Sequence, residues 1–126
     1  MTNQIATVPL SGVRSAQSIV ITSGQAGIDP ATGEIPPTLA GQIEIAMGNL
    51  QRALTQVDAS LHDVIKTTVF LTRRQDFAEM NSLYATYFSE PYPARSTVIC
   101  ELALPGLLFE IEAFAVPPRG DKSNDA

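Results

Sequence analysis

The spacing of apolar positions changes along the chain, and each change marks an element. Residues 18–22, SIVIT, form a short apolar run closed by Ser23-Gly24, and Asp29-Pro30-Ala31-Thr32-Gly33 follows as a turn-forming cluster, so a strand leads into a loop. From Thr38 onward, Leu39, Ile43, Met47, Leu50, Leu54 and Val57 recur every three or four residues, the stripe of a core-packing helix of about five turns. Thr38 is placed to cap it, whereas Gly41 three residues on rules out a reciprocal capping box. Val64 to Leu71 switches to β-branched residues, apolar on both faces, and reads as an interior strand. Asp76 and Glu79 have capping-box spacing ahead of a second helix whose stripe is Phe77, Met80, Tyr84 and Tyr87, and Pro91 and Pro93 end it. Residues 96–102 and 108–116 then read as a two-stranded unit turned at Pro105-Gly106. On its second strand Phe109, Ile111, Ala113 and Ala115 share one face, while Glu110 and Glu112 share the other, roughly 6 to 7 Å apart by the strand repeat.

Strand or hairpin, helix, strand, helix and two strands make an α+β sandwich, with both helices on one face of a sheet. The other face would carry Val98, Cys100 and Leu102, or Thr97 and Ile99, depending on register. Either choice leaves apolar residues uncovered, which predicts an oligomer. The 126 residues, 44% apolar, suffice for one domain, expected over residues 1–116. Residues 117–126 lack apolar side chains able to order them and are expected to form a mobile tail.

Charge removes several function classes. The net charge is −5 and the pI about 4.6, and the eight Lys and Arg are scattered, so no basic stripe offers itself to nucleic acid. A single cysteine, Cys100, excludes an intramolecular disulfide and reads as a small core hydrophobe. A single histidine, His62, supports neither metal-ligand spacing nor a paired nucleophile, so the expected site is metal-free. The first twelve residues show no charged and apolar leader pattern, and no segment approaches the ~18 apolar residues that span a bilayer. A cytoplasmic protein without membrane partners is expected.

The stretch from Tyr92 to Val116 holds the candidate chemistry. Arg95 stands at the mouth of the first of its strands, and a guanidinium is a permanently charged, planar fork suited to a substrate carboxylate. A Glu in a cleft can orient or deprotonate water; burial or Glu112 would raise its pKa, and a nearby Arg95 would lower it. By spacing alone these residues read more readily as a surface Arg and two solvated carboxylates on an edge strand. Gly24 could let a ligand approach the backbone or could be an ordinary turn glycine, and Asn81, next to the second stripe, needs partners for its amide.

Residues 21–25 (ITSGQ), residues 29–34 (DPATGE), Val64 to Leu71, Asp76-Phe77 through Met80-Asn81, Pro93-Ala94-Arg95-Ser96 and Phe109-Glu110-Ile111-Glu112-Ala113 together resemble the Rid, or YjgF, family of reactive-intermediate deaminases. The resemblance spans nearly the whole chain. It implies chorismate-mutase-like subunits in a homotrimer, a mixed sheet facing inward, two helices packed outside and ligand clefts between subunits. It also implies a cofactor-independent 2-iminobutanoate/2-iminopropanoate deaminase-like hydrolase, turning small enamines and imines such as 2-aminoacrylate and 2-iminobutanoate into 2-keto acids and ammonia. By position, Arg95 would hold the carboxylate and Glu110 the attacking water, with Gly24, Asn81 and Thr97 at substrate-binding positions and Glu112 a tuning neighbour. Thr97 stands where many members carry cysteine. Residues 6–19 lack the family's Gly-Pro-Tyr element, and the Pro105 turn falls one residue later relative to Arg95. These departures keep two alternatives open: a trimeric small-carboxylate binding protein without turnover, and a catabolic enamine deaminase of aminomuconate type. The family's older ribonuclease label is disfavoured by the acidic balance.

Overall fold

The longest apolar stripe folds as a helix. In the computed structural model, which describes residues 8–118, α1 runs over Leu39–Thr55. The Thr38 hydroxyl accepts the Gly41 N–H at 3.1 Å, satisfying one of the donors that a helix start leaves orphaned. Leu39, Ile43, Met47, Leu50 and Leu54 are buried along one face, and Val57 lies past the end of the helix, packed at the edge of the same core. Burying each such side chain favours folding by about 1.5–3 kcal/mol over leaving it in water.

Six strands form one mixed sheet: β1 (Val13–Ala16), β2 (Ile19–Thr22), β3 (Gln25–Ala26), β4 (Val64–Leu71), β5 (Ala94–Ile99) and β6 (Phe109–Ala115). The order across it is β1-β2-β6-β4-β5, and the two-residue β3 continues the line of β2 along the same edge of β6. Every pairing is antiparallel except that of β4 with β5. β4 is interior, as its apolar faces predicted; β1 and β2 form the hairpin alternative of the first element, and the short β3 is an addition to the expected elements.

The expected two-stranded unit of residues 96–102 and 108–116 is not formed, because β4 lies between its two halves. The Cys100 N–H donates to the Leu71 carbonyl at 2.9 Å and the Thr72 N–H to the Leu108 carbonyl at 3.3 Å. The end of β4 is thus stitched to both neighbours, and the Pro105-Gly106 turn belongs to a connection that crosses it. Nine residues, 100–108, are more than the two to five of a tight hairpin.

The second helix, α2 (Phe77–Tyr84), is shorter than its stripe, and Tyr87 packs at the core edge beyond it. The expected capping box is absent. The Asp76 carboxylate instead accepts from Arg73 Nε at 2.8 Å and Nη2 at 2.9 Å, a forked, charge-assisted pair that outcompetes single neutral N–H donors. Reciprocal capping occurs at Ser60, whose N–H donates to the Asp63 carboxylate at 2.9 Å. Phe77, expected in the buried stripe, is 44% exposed.

Register sorts the sheet's side chains. Thr67, Val69 and Leu71 of β4 share rows with Ala113, Ile111 and Phe109 of β6 and with Arg95, Thr97 and Ile99 of β5. These rows face the helices, and their β4 and β6 members are buried. Thr68 with Glu112 and Ser96, and Phe70 with Glu110 and Val98, fill the alternate rows. Among the described residues no helix lies over that face, and Ile19, Ile21, Val98 and Phe114 are exposed. Of the two registers left open, the observed one turns Val98 outward, with Cys100 and Leu102 past the end of β5. Of the expected tail, residues 119–126 lie outside the described residues.

One close approach fixes the sheet against α1. A Cβ on Gly27 would stand 2.6 Å from the Cα of Gln42, a backbone atom that cannot move aside. We expect Gly27→Ala to cost about 1–3 kcal/mol, as overpacking does, read as a lower urea midpoint at unchanged slope. Gly12→Ala, where the new methyl meets nothing within 4 Å, should leave the midpoint in place.

Candidate active site

Arg95 is the second residue of β5, and its row neighbour on β4 is the buried Thr67. The Thr67 hydroxyl shares a 2.8 Å hydrogen bond with the Tyr84 hydroxyl, which fixes the Tyr84 ring beneath the arginine. The Arg95 guanidinium carbon lies 4.8 Å from the centre of that ring and 5.9 Å from that of Phe77. Its Nη2 donates to the Asn81 side-chain carbonyl at 2.7 Å. Phe77, Asn81 and Tyr84 are spaced by four and three residues, so α2 turns one face toward Arg95. Cation–π contacts of this kind are worth roughly 0.5–2 kcal/mol. Among the described residues no carboxylate lies within salt-bridge distance of Arg95. Burial pushes the Tyr84 phenol above its ordinary pKa, against weaker opposing effects from the Thr67 hydrogen bond and the Arg95 charge, so the ring stays a neutral platform. Thr97, two residues on and half-buried, stands on the same side of β5.

Glu110 stands on the other face, beside Phe70 of β4 and Ala26 of β3. A Cβ on Gly24 would collide with Glu110 Oε2, so the carboxylate fills the space that the missing side chain leaves. Burial, and secondarily the Glu112 carboxylate two residues along, hold the Glu110 pKa above the ordinary glutamate value. The opposing pull expected from Arg95 is not among the effects acting on it.

The five candidate positions therefore fall into two groups: Arg95, Asn81 and Thr97 at the helix-facing edge, Gly24 and Glu110 on the open face. Arg95 and Glu110 are two strands apart and three rows out of step. By the strand repeat and spacing that separates their Cα atoms by roughly 14 Å, with the side chains pointing to opposite sides. One copy of the chain does not bring both to one small molecule. Tyr84, Thr67 and Phe77 were not singled out as site residues by sequence reasoning; the signal present was the spacing of Phe77 and Tyr84 about Asn81.

Other sites offer less. A groove of about 680 Å³ over the β5–β6 connection is lined by Thr72 and residues 99–108 and contains neither Arg95 nor Glu110. Among the described residues no three His, Cys, Asp or Glu side chains are grouped to hold a metal ion, and no helix is long and apolar enough to cross a membrane.

A family model described as endoribonuclease L-PSP matches residues 1–117. A RutC family protein of Pyrococcus horikoshii is 41% identical over 108 residues, covering 85% of this chain and 86% of its own. The 2-iminobutanoate/2-iminopropanoate deaminase of Escherichia coli K12 is 36% identical over 102 residues, 79% of this chain and 80% of that one. Among solved structures, Escherichia coli TdcF with bound serine matches with a TM-score of 0.81 at 36% identity, over 88% of this chain and 90% of that chain. Matches of this extent in both sequence and fold place the chain in one family: it belongs to the Rid, or YjgF, family.

Proposed function

We propose that the protein is a deaminase of small imines and enamines, of the 2-aminoacrylate and 2-iminobutanoate type, releasing 2-keto acids and ammonia at sites shared between copies of the chain. The observation that carries this reading is Arg95, a guanidinium fixed by Asn81 and Tyr84 with no carboxylate within salt-bridge distance among the described residues. The name of the deaminase relative and the serine bound to TdcF, itself a small carboxylate, support it.

In this reading the enamine tautomerises to an imine, Arg95 holds its carboxylate, and Asn81 and Thr97 border the anchor. Glu110 accepts a proton from water as the oxygen adds to the imine carbon. It passes that proton to the nitrogen to give the carbinolamine, then takes the hydroxyl proton and delivers it to the nitrogen as the remaining carbon–nitrogen single bond breaks, leaving the keto acid and ammonia. A raised pKa suits a group that takes and then gives a proton, and such acid–base help contributes roughly 10² to 10⁴. The opposite placement of Arg95 and Glu110 calls for a second copy, and the exposed Ile19, Ile21, Val98 and Phe114 offer the surface by which copies would meet. The proposed assembly is a homotrimer with its sheets inward and three clefts. A carboxylate-binding protein without turnover is the second reading, favoured by the bound serine of TdcF alone.

Arg95→Ala should lower keto-acid release from imines generated in situ by roughly 10- to 100-fold, the scale of a lost charged hydrogen bond, and Glu110→Gln by roughly 10²- to 10⁴-fold, the scale of lost acid–base help; rates equal to wild type would overturn the deaminase reading. Refolding the two variants together should recover roughly a quarter of the wild-type rate, because random hybrids pair an intact Arg95 from one chain with an intact Glu110 from another. Sites built within one chain would recover nothing.

The pH profile provides a second check. Activity that requires ionised Glu110 falls as pH drops through its raised pKa, so the acid limb of kcat/KM should lie above the ordinary glutamate value. Glu112→Gln removes the neighbouring like charge and should move that limb to lower pH.

A further inference from the structure

The backbone on both sides of Glu110 is held from α1 by two carboxamides. Gln42 and Asn49 are seven residues apart, about two helical turns, and so project from the same side of the helix. Gln42 is fully buried; its Nε2 donates to the carbonyls of Pro36 and Gly106, each at 2.9 Å, and its Oε1 accepts the Leu108 N–H at 2.7 Å. That fixes the chain as it enters β6, two residues before Glu110. Asn49 Nδ2 donates to the carbonyls of Ala26 at 3.0 Å and Ile28 at 3.1 Å. Ala26 is the β3 partner of Glu110, and Gly24, two residues earlier, gives way to the carboxylate. The Ile28 N–H closes a tight turn onto the Ala26 carbonyl at 2.9 Å, bringing Gly27 against Gln42. A two-residue strand has little ladder of its own, so the Asn49 bonds are the principal side-chain tie on this segment.

We infer that Asn49, together with Gln42, is a positioning residue for Glu110: α1 sets where the carboxylate stands by fixing the segments on either side of it. The inference rests on the deaminase reading above. Neither carboxamide bonds to Arg95, Asn81 or Thr97. Loosening the clamp therefore acts on turnover and leaves the carboxylate anchor alone.

The test uses three forms of the full chain. Asn49→Leu matches the side chain in size without its donors, and Asn49→Gln keeps the carboxamide on a longer stem. Steady-state kinetics with imines generated in situ are set beside calorimetric binding of 2-ketobutyrate. Asn49→Leu should lower kcat roughly tenfold, the scale of a misplaced catalytic group. KM should stay within about twofold, 2-ketobutyrate affinity should be unchanged, and Asn49→Gln should restore most of the lost kcat. An unaltered kcat in folded Asn49→Leu overturns the inference, as does a kcat loss that only tracks the folded fraction or a matching loss of 2-ketobutyrate affinity. If Asn49→Leu does not fold, Asn49→Ser, whose hydroxyl is too short to hold both carbonyls, is read by the same criteria. Wild-type protein without turnover would instead overturn the deaminase reading, and this inference with it.

Discussion

The two-residue period of a β-strand, applied through β4, governs which face each strand-borne site residue takes. β4 pairs with β5 on one side and β6 on the other, so a single register assigns faces to both. Arg95 falls in the row of Thr67 and Glu110 in the row of Phe70, and an odd number of rows between them means opposite faces. On one face α2 supplies an aromatic floor and a carbonyl for a cation. On the other, the glycine ahead of β3 leaves room for a carboxylate. A shift of one residue in the pairing of β6 would turn Ile111 out to the open face and Glu110 into the core, so the apolar residues that hold the fold also hold the chemistry in place.

Much of this was legible in the chain, and what was not has a common cause. The α1 stripe, the Thr38 cap and the alternation of Phe109, Ile111, Ala113 and Ala115 with Glu110 and Glu112 are local patterns, and local patterns report the face a side chain takes. Strand order is not local. Nothing in residues 96–116 states that β4 enters between β5 and β6, because the bonds that place it come from the ladders that Val64–Leu71 form with both neighbours. Asp76 misled for a related reason: capping-box spacing is one use of that carboxylate, and Arg73 offered a stronger one. Phe77 fits the helical period of a core stripe yet lies at the rim, beside Arg95. Gln42 and Asn49, polar residues flanking the apolar stripe of α1, carried a signal that periodicity passes over.

The two halves of the candidate site are energetically unlike. Arg95 gains from every contact it makes, since an amide carbonyl and two ring faces all favour the cation. Glu110 is ionised against burial and against Glu112. Its folded-state pKa is raised, so the native chain binds more protons than the unfolded one and stability declines as pH rises from the ordinary glutamate value through the raised one. Half-burial leaves the carboxylate partly solvated, which limits that penalty.

The absence of a carboxylate beside Arg95, among the described residues, reaches into selectivity. An arginine already latched to an internal acid would require an incoming anion to displace its own counter-ion, and only well-matched anions would succeed. Here there is no latch to open. Any small oxyanion that reached the guanidinium would meet the same donors, buffer anions included. Under the proposed function, discrimination among them would then come from whatever faces Arg95 across the cleft, while the arginine itself would supply indiscriminate capture.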